Sequence, residues 1–103
     1  MSSQGYRNVA ATLLRDAAWV LRRPPPNSTP PDGKDARRAW VVQWRYWIRE
    51  RKRDVGFFKN PWRSAMWCEA AGLDYEAVLS RLSAEGLLYD ASDVLPTALQ
   101  PAA

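Results

Sequence analysis

Apolar residues return every three or four positions through the first half of this chain, which is the spacing of one helix face. Over residues 5–22 this apolar face comprises Tyr6, Val9, Ala10, Leu13, Leu14, Ala17, Val20 and Leu21. Over residues 34–54 it comprises Ala36, Trp40, Val41, Trp44, Trp47 and Ile48. The spacing therefore predicts two amphipathic helices, and Val55-Gly56 is expected to end the second.

A proline-rich segment separates these two helices. Five prolines fall within residues 24–31, which forbids a helix and favours extended polyproline II. Residues 24–33 are predicted to be a semi-rigid linker rather than a ligand for a proline-binding module. Trp19 lies on the polar side of the first helix; we expect it to pack under this linker, the alternative being an exposed partner contact.

The second half of the chain carries signals for two shorter helices. Asn60-Pro61 is a cap followed by proline at the first helical position, and Gly72 closes the resulting helix of residues 61–70. Asp74 caps a fourth helix that ends by Gly86. Phe57 and Phe58 are expected to be buried, Leu73 and Val78 to face inward, and residues 87–89 to fold back onto the core.

The predicted fold is an all-α, small four-helix domain containing a helix-turn-helix-like unit. Residues 1–23 form an N-terminal amphipathic helix and 24–33 the linker. Residues 34–89 hold a basic helix and the helix-turn-helix-like unit. Residues 90–103, with Pro96 and Pro101, are expected to be a loosely held tail.

Charge is distributed unevenly along the chain, whose net charge is +4. Residues 34–63 carry ten Lys or Arg against three acids, whereas residues 64–103 carry one Arg against six acids. The middle third is therefore a candidate surface for a polyanion.

The basic residues of the second helix fall opposite its tryptophans. An ordinary solvated face mixes charge signs, whereas this stripe is almost entirely positive, which favours nucleic acid over a merely solvated face. The arginines and tryptophans would also permit stacking on unpaired bases, although this tryptophan spacing is more typical of a core. The stripe comprises Arg38, Arg45, Arg49, Lys52 and Arg53.

A helix-turn-helix would place its second helix in the major groove of duplex DNA. Its exposed positions are predicted to be Tyr75, Glu76, Ser80 and Arg81, of which Glu76 can accept from cytosine. Because this helix is poor in positive charge and its surroundings are acidic, the attraction for phosphate must come from the basic helix with Lys59 and Arg63. Either the fourth helix reads bases while the stripe holds the backbone, or the stripe alone lies on DNA and the acidic part faces a protein.

Other chemistries have few candidate residues. The chain has no histidine, one cysteine and no glycine-rich phosphate loop, so we expect no enzyme activity, cofactor or metal site. The lone Cys68 fits a reducing compartment. Without an apolar run of membrane-spanning length or a visible signal peptide, we expect a cytoplasmic, nucleoid-associated protein with no membrane partner.

The segment from Phe57 to Asp74 resembles one found in small phage and prophage regulators of alphaproteobacteria, and in the DNA-binding part of activators of gene transfer agents. The similarity covers residues 40–83, and the matching positions, all structural, are Cys68, Glu69, Gly72, Leu73 and Asp74. Tyr75 stands where that family usually has proline. The resemblance implies a transcription activator that binds a promoter, with a DNA-bending architectural protein and RNA polymerase as possible partners.

The leading hypothesis is accordingly a regulator of phage-like genes that binds double-stranded DNA. The alternative is a protein-interaction module, such as an antitermination factor that binds RNA polymerase or a phage-encoded inhibitor. In that case the stripe would face an acidic protein or RNA.

Overall fold

The computed structural model of this chain describes residues 3–100, which form four α-helices and two 3₁₀ helices and contain no β-strand. The α-helices are α1 (Ser3–Arg22), α2 (Lys34–Lys59), α3 (Pro61–Ala70) and α4 (Tyr75–Ala84). The 3₁₀ helices are Ala91–Val94 and Thr97–Leu99. The predicted all-α class with four helices is confirmed.

The first hydrophobic core lies between α1, the C-terminal part of α2, α3 and α4. Val78, Leu87 and Leu88 pack against it, which confirms the predicted inward position of Val78 and the return of the chain after α4. Its buried members are Leu14, Leu21, Phe58, Cys68 and Leu82.

Helix α2 runs five residues beyond its predicted end at Asp54. Gly56 lies inside the helix, where glycine costs about 1 kcal/mol relative to alanine. The cost is offset because continuing the helix buries Phe58, and fully burying a phenylalanine contributes about 1.5–3 kcal/mol. The prediction that Val55-Gly56 ends the helix is therefore wrong, while the burial of Phe58 and the partial burial of Phe57 are confirmed.

The second core is a tryptophan cluster on the N-terminal part of α2, and the proline-rich linker lies across it. The indole Nε1 groups of Trp40 and Trp44 donate to the carbonyl of Asn27 at 2.7 and 3.0 Å, and that of Trp47 donates to the carbonyl of Arg23 at 3.4 Å. An extended polyproline segment has no internal hydrogen bonds, so its carbonyls need outside donors. The indoles supply such donors at Asn27 within the linker and at Arg23 just before it, and so hold the linker against α2.

The C-terminal segment covers the same tryptophan cluster. Ala91 is buried there, and Leu95 and Leu99 pack against it. Residues 91–99 are therefore packed in the structure, whereas the sequence suggested a loosely held tail, because these apolar side chains add to the cover of three large rings. Residues 101–103 of that predicted tail lie outside the described residues.

Several apolar residues are more exposed than the sequence pattern predicted, among them Tyr6, Val9 and Leu13 on the apolar face of α1. Trp19 is 62% exposed because the linker packs against the α2 tryptophans instead of covering Trp19. The Arg23 guanidinium lies 5.7 Å from the centre of the Trp19 ring. Ala36 is exposed because the tryptophan cluster begins only at Trp40. The Leu73 side chain is 48% exposed. Leu73 contributes to the turn through its backbone N–H, which donates to the Cys68 carbonyl, so its side chain need not be buried.

Arg51 is a buried cation at the junction of the two cores. Its guanidinium donates to the carbonyls of Leu21, Leu87 and Tyr89, at the end of α1 and in the segment after α4. It also lies 3.5 Å from the centre of the Tyr89 ring. Burial lowers the pKa of this guanidinium, and these carbonyls together with the aromatic ring take the place of a counter-ion.

Candidate functional site

The segment from α3 to α4 has the connectivity of a helix-turn-helix and is closed by local hydrogen bonds. Gly72 adopts a φ of 76°, its N–H donates to Glu69 and the N–H of Leu73 donates to Cys68 at 2.8 Å, which is a Schellman motif. The Asp74 side chain then accepts from the N–H of Ala77 and caps α4. The predicted cap and glycine turn are confirmed, and the unit is compatible with a helix-turn-helix.

Helix α4 presents three of its four predicted contact residues to solvent. Glu76, Ser80 and Arg81 are exposed, although Arg81 lies 3.8 Å from Glu85. Tyr75 is half-buried and its hydroxyl donates to the carbonyl of Phe58 at 2.8 Å. The prediction that Tyr75 is exposed is wrong, because its hydroxyl is hydrogen-bonded to a carbonyl in the last turn of α2.

The exposed face of α2 carries four basic residues in a row, which we call the basic stripe: Arg38, Arg45, Arg49 and Lys52. Their spacing keeps them on the side opposite the buried tryptophans. The stripe spans about 21 Å at 1.5 Å per residue. All four side chains are exposed, and none forms an ion pair within residues 3–100.

Two of the three acids in the middle third already have cationic partners. Glu50 accepts from Arg23 at 3.1 Å, and its hydrogen bond to Tyr46 raises the pKa of that phenol. Asp54 is buried and accepts from Arg53 at 3.2 Å, and this hydrogen bond raises the pKa of the Arg53 guanidinium. These acids therefore do little to offset the charge of the basic stripe.

The remaining predicted basic residues lie in other places. Lys59 is exposed at the end of α2, and hydrogen bonds from Ser92 followed by the charges of Lys52 and Lys59 lower the pKa of the Asp90 carboxyl. Arg53 and Arg63 line a groove between α1 and the α2–α3 junction. The predicted basic residues outside α4 thus divide between the basic stripe, this groove and the end of α2 at Lys59.

Pattern reasoning missed several residues around these sites. Lys34 and Arg37 extend the positive charge around the N-terminal end of the stripe, where they line a shallow depression with Arg38 and Arg45. Their charge and helical position were visible in the sequence. The burial of Arg51 could not be read from it, because the carbonyls that hold it come from distant segments.

Within residues 3–100, no three His, Cys, Asp or Glu side chains come together as metal ligands, and no helix is long and apolar enough to cross a bilayer. Comparisons with protein-family models, curated proteins and solved structures found no match for this chain.

Proposed function

We propose that this chain is a transcription regulator that binds double-stranded DNA. The observation that carries the proposal is the basic stripe, four exposed cations on one helix face that form no ion pair among the described residues. Duplex DNA presents about a dozen phosphates over 21 Å of its axis, so each cation can meet a different phosphate. In this arrangement the stripe supplies the affinity that does not depend on sequence.

Helix α4 is the candidate for reading bases. Its capped N-terminus and the exposed Glu76, Ser80 and Arg81 suit base edges, while the surrounding acids make it a poor source of phosphate attraction. The resemblance of residues 40–83 to phage and gene-transfer-agent regulators supports an activator of phage-like genes in the nucleoid. RNA polymerase and a DNA-bending protein are the partners that this resemblance implies.

The test starts from duplexes that the wild-type protein selects from sheared DNA of its source genome. We expect discrete sites upstream of genes. On these duplexes, Arg45→Ala combined with Arg49→Ala should weaken binding to every sequence alike, because it removes two phosphate contacts. The plot of log affinity against log salt should become shallower by about 2 units, as measured by fluorescence anisotropy.

Arg15→Ala is the matched control, since Arg15 is an exposed arginine on α1 outside the stripe. It should leave the salt dependence unchanged. Wild-type affinity in the double variant would refute the stripe as a phosphate contact. Uniform recovery of genomic fragments would instead leave only non-specific attraction and favour the protein-interaction alternative.

A further inference from the structure

The groove between α1 and the α2–α3 junction is open to solvent, has a volume of about 1110 Å³ and is mainly apolar. Phe57 and Trp67 are part of its lining, as are Val9, Leu13 and Met66, which are 48%, 37% and 53% exposed. The sequence pattern assigned Val9 and Leu13 to the core face of α1, yet no described segment covers them. Adjacent apolar side chains from several helices mark an interaction surface rather than isolated surface residues.

The shape of this groove suits a helix. Its α1 wall runs from Asn8 to Val20, about 18 Å or three helical turns at 1.5 Å per residue. Val9 and Leu13 are one turn apart on that wall, and Met66 belongs to the opposite wall. A docked amphipathic helix would place residues at i, i+4 and i+7 between these walls.

The charges along the two walls specify the flank of that helix. Arg53 and Arg63 belong to the α2–α3 wall, and Asp54 beside them is buried and already bound to Arg53. The α1 wall carries Asp16. Because Arg53 and Asp54 offset each other, Arg63 is the cation of this wall that has no ion pair among the described residues. Acidic residues on one flank of a docked helix would therefore meet Arg63, and this pairing would also fix the direction in which the helix lies.

We propose that this groove binds an amphipathic helix of a partner protein, about three turns long, with acidic residues along one flank of its apolar stripe. The groove and the basic stripe are separate surfaces, so this interaction does not depend on DNA binding.

The probe is a synthetic helical peptide of about 14 residues with leucines at i, i+4 and i+7 and glutamates along one flank. A second peptide replaces those glutamates with lysines. We expect the acidic peptide to bind one-to-one, at least about tenfold more tightly than the lysine peptide, by calorimetry. Arg63→Glu should reverse that preference.

Val9→Ser combined with Met66→Ser should lower the affinity for the acidic peptide at least about tenfold, because it removes apolar contacts. Val42→Ser is the matched control, since Val42 is an exposed valine outside the groove. Circular dichroism establishes that each variant is folded. The Arg45→Ala, Arg49→Ala variant should bind the peptide like wild type, which separates this test from that of DNA binding.

Absence of peptide binding, or equal affinity for the two peptides, would overturn the proposal. So would a wild-type chain that sediments as a dimer and becomes monomeric with Val9→Ser and Met66→Ser, because the occupant would then be a second copy.

Discussion

At the scale of single residues, Arg51 shows how a charged side chain can serve as a core residue. It is 1% exposed, and its planar guanidinium reaches three carbonyls that belong to two distant segments. Only arginine offers several donors in one rigid plane, and that plane also lies over the Tyr89 ring. The position therefore depends on the shape of the side chain as well as on its charge.

Arg51→Lys should lower the free energy of unfolding by about 1–3 kcal/mol, because an ammonium group cannot satisfy all three buried carbonyls. Urea denaturation followed by circular dichroism measures the change. Arg49→Lys makes the same substitution on the exposed face of α2 and should leave the midpoint where it is. Equal midpoints for the two variants would contradict the role assigned to Arg51.

At the scale of elements, Gly72 ends a helix and Gly56 lies inside one, so replacing each with alanine should change stability in opposite directions. Gly72→Ala should destabilise the protein by about 1–2 kcal/mol, because its φ of 76° is unfavourable for alanine. Gly56→Ala should stabilise it by about 0.5–1 kcal/mol, because Gly56 lies inside α2 and an added Cβ would point into open space. Thermal denaturation of both variants is the measurement.

Each variant is the control for the other, since the chemical change is the same. If α2 ended at Gly56, as the sequence pattern predicted, Gly56→Ala would bring no helical gain. A loss of stability at that position would therefore argue against the continuous helix.

The elements that the sequence predicted well are those fixed by neighbouring residues. Asn60, Gly72 and Asp74 act within one turn of their own positions, so the limits of α3 and the start of α4 follow from local rules. The extension of α2 past Gly56 was missed because it depends on where Phe58 is buried. The basic stripe could be predicted because charge and helical period suffice, whereas the groove required knowing which part of the α1 face stays uncovered.

At the scale of the whole molecule, residues 3–100 form an elongated body of 54 × 27 × 20 Å in which α2 connects two cores. The helical core uses all four helices, while the linker and the C-terminal segment lie against the tryptophan cluster. In its N-terminal part, α2 is packed on its tryptophan face alone. Its opposite face is exposed to solvent and carries the basic stripe.

Deleting residues 90–103 should uncover Trp40, Trp44 and Trp47, because Ala91, Leu95 and Leu99 pack against them. We expect tryptophan emission to shift to longer wavelength while far-ultraviolet circular dichroism keeps its helical signal. Deleting only residues 101–103 is the control. Unchanged emission after the longer deletion would support the loosely held tail that the sequence suggested.

The buried Arg51 also has a consequence for the order of folding. Its carbonyl partners at Leu21 and Leu87 lie 30 and 36 residues away along the chain, on opposite sides in sequence. If the guanidinium were buried before both carbonyls were in place, its loss of hydration would not be compensated by hydrogen bonds. Two long loops must therefore close before this charge can be buried. We therefore expect the burial of Arg51 to be a late step of folding, and we expect its loss to loosen the contact between the two cores.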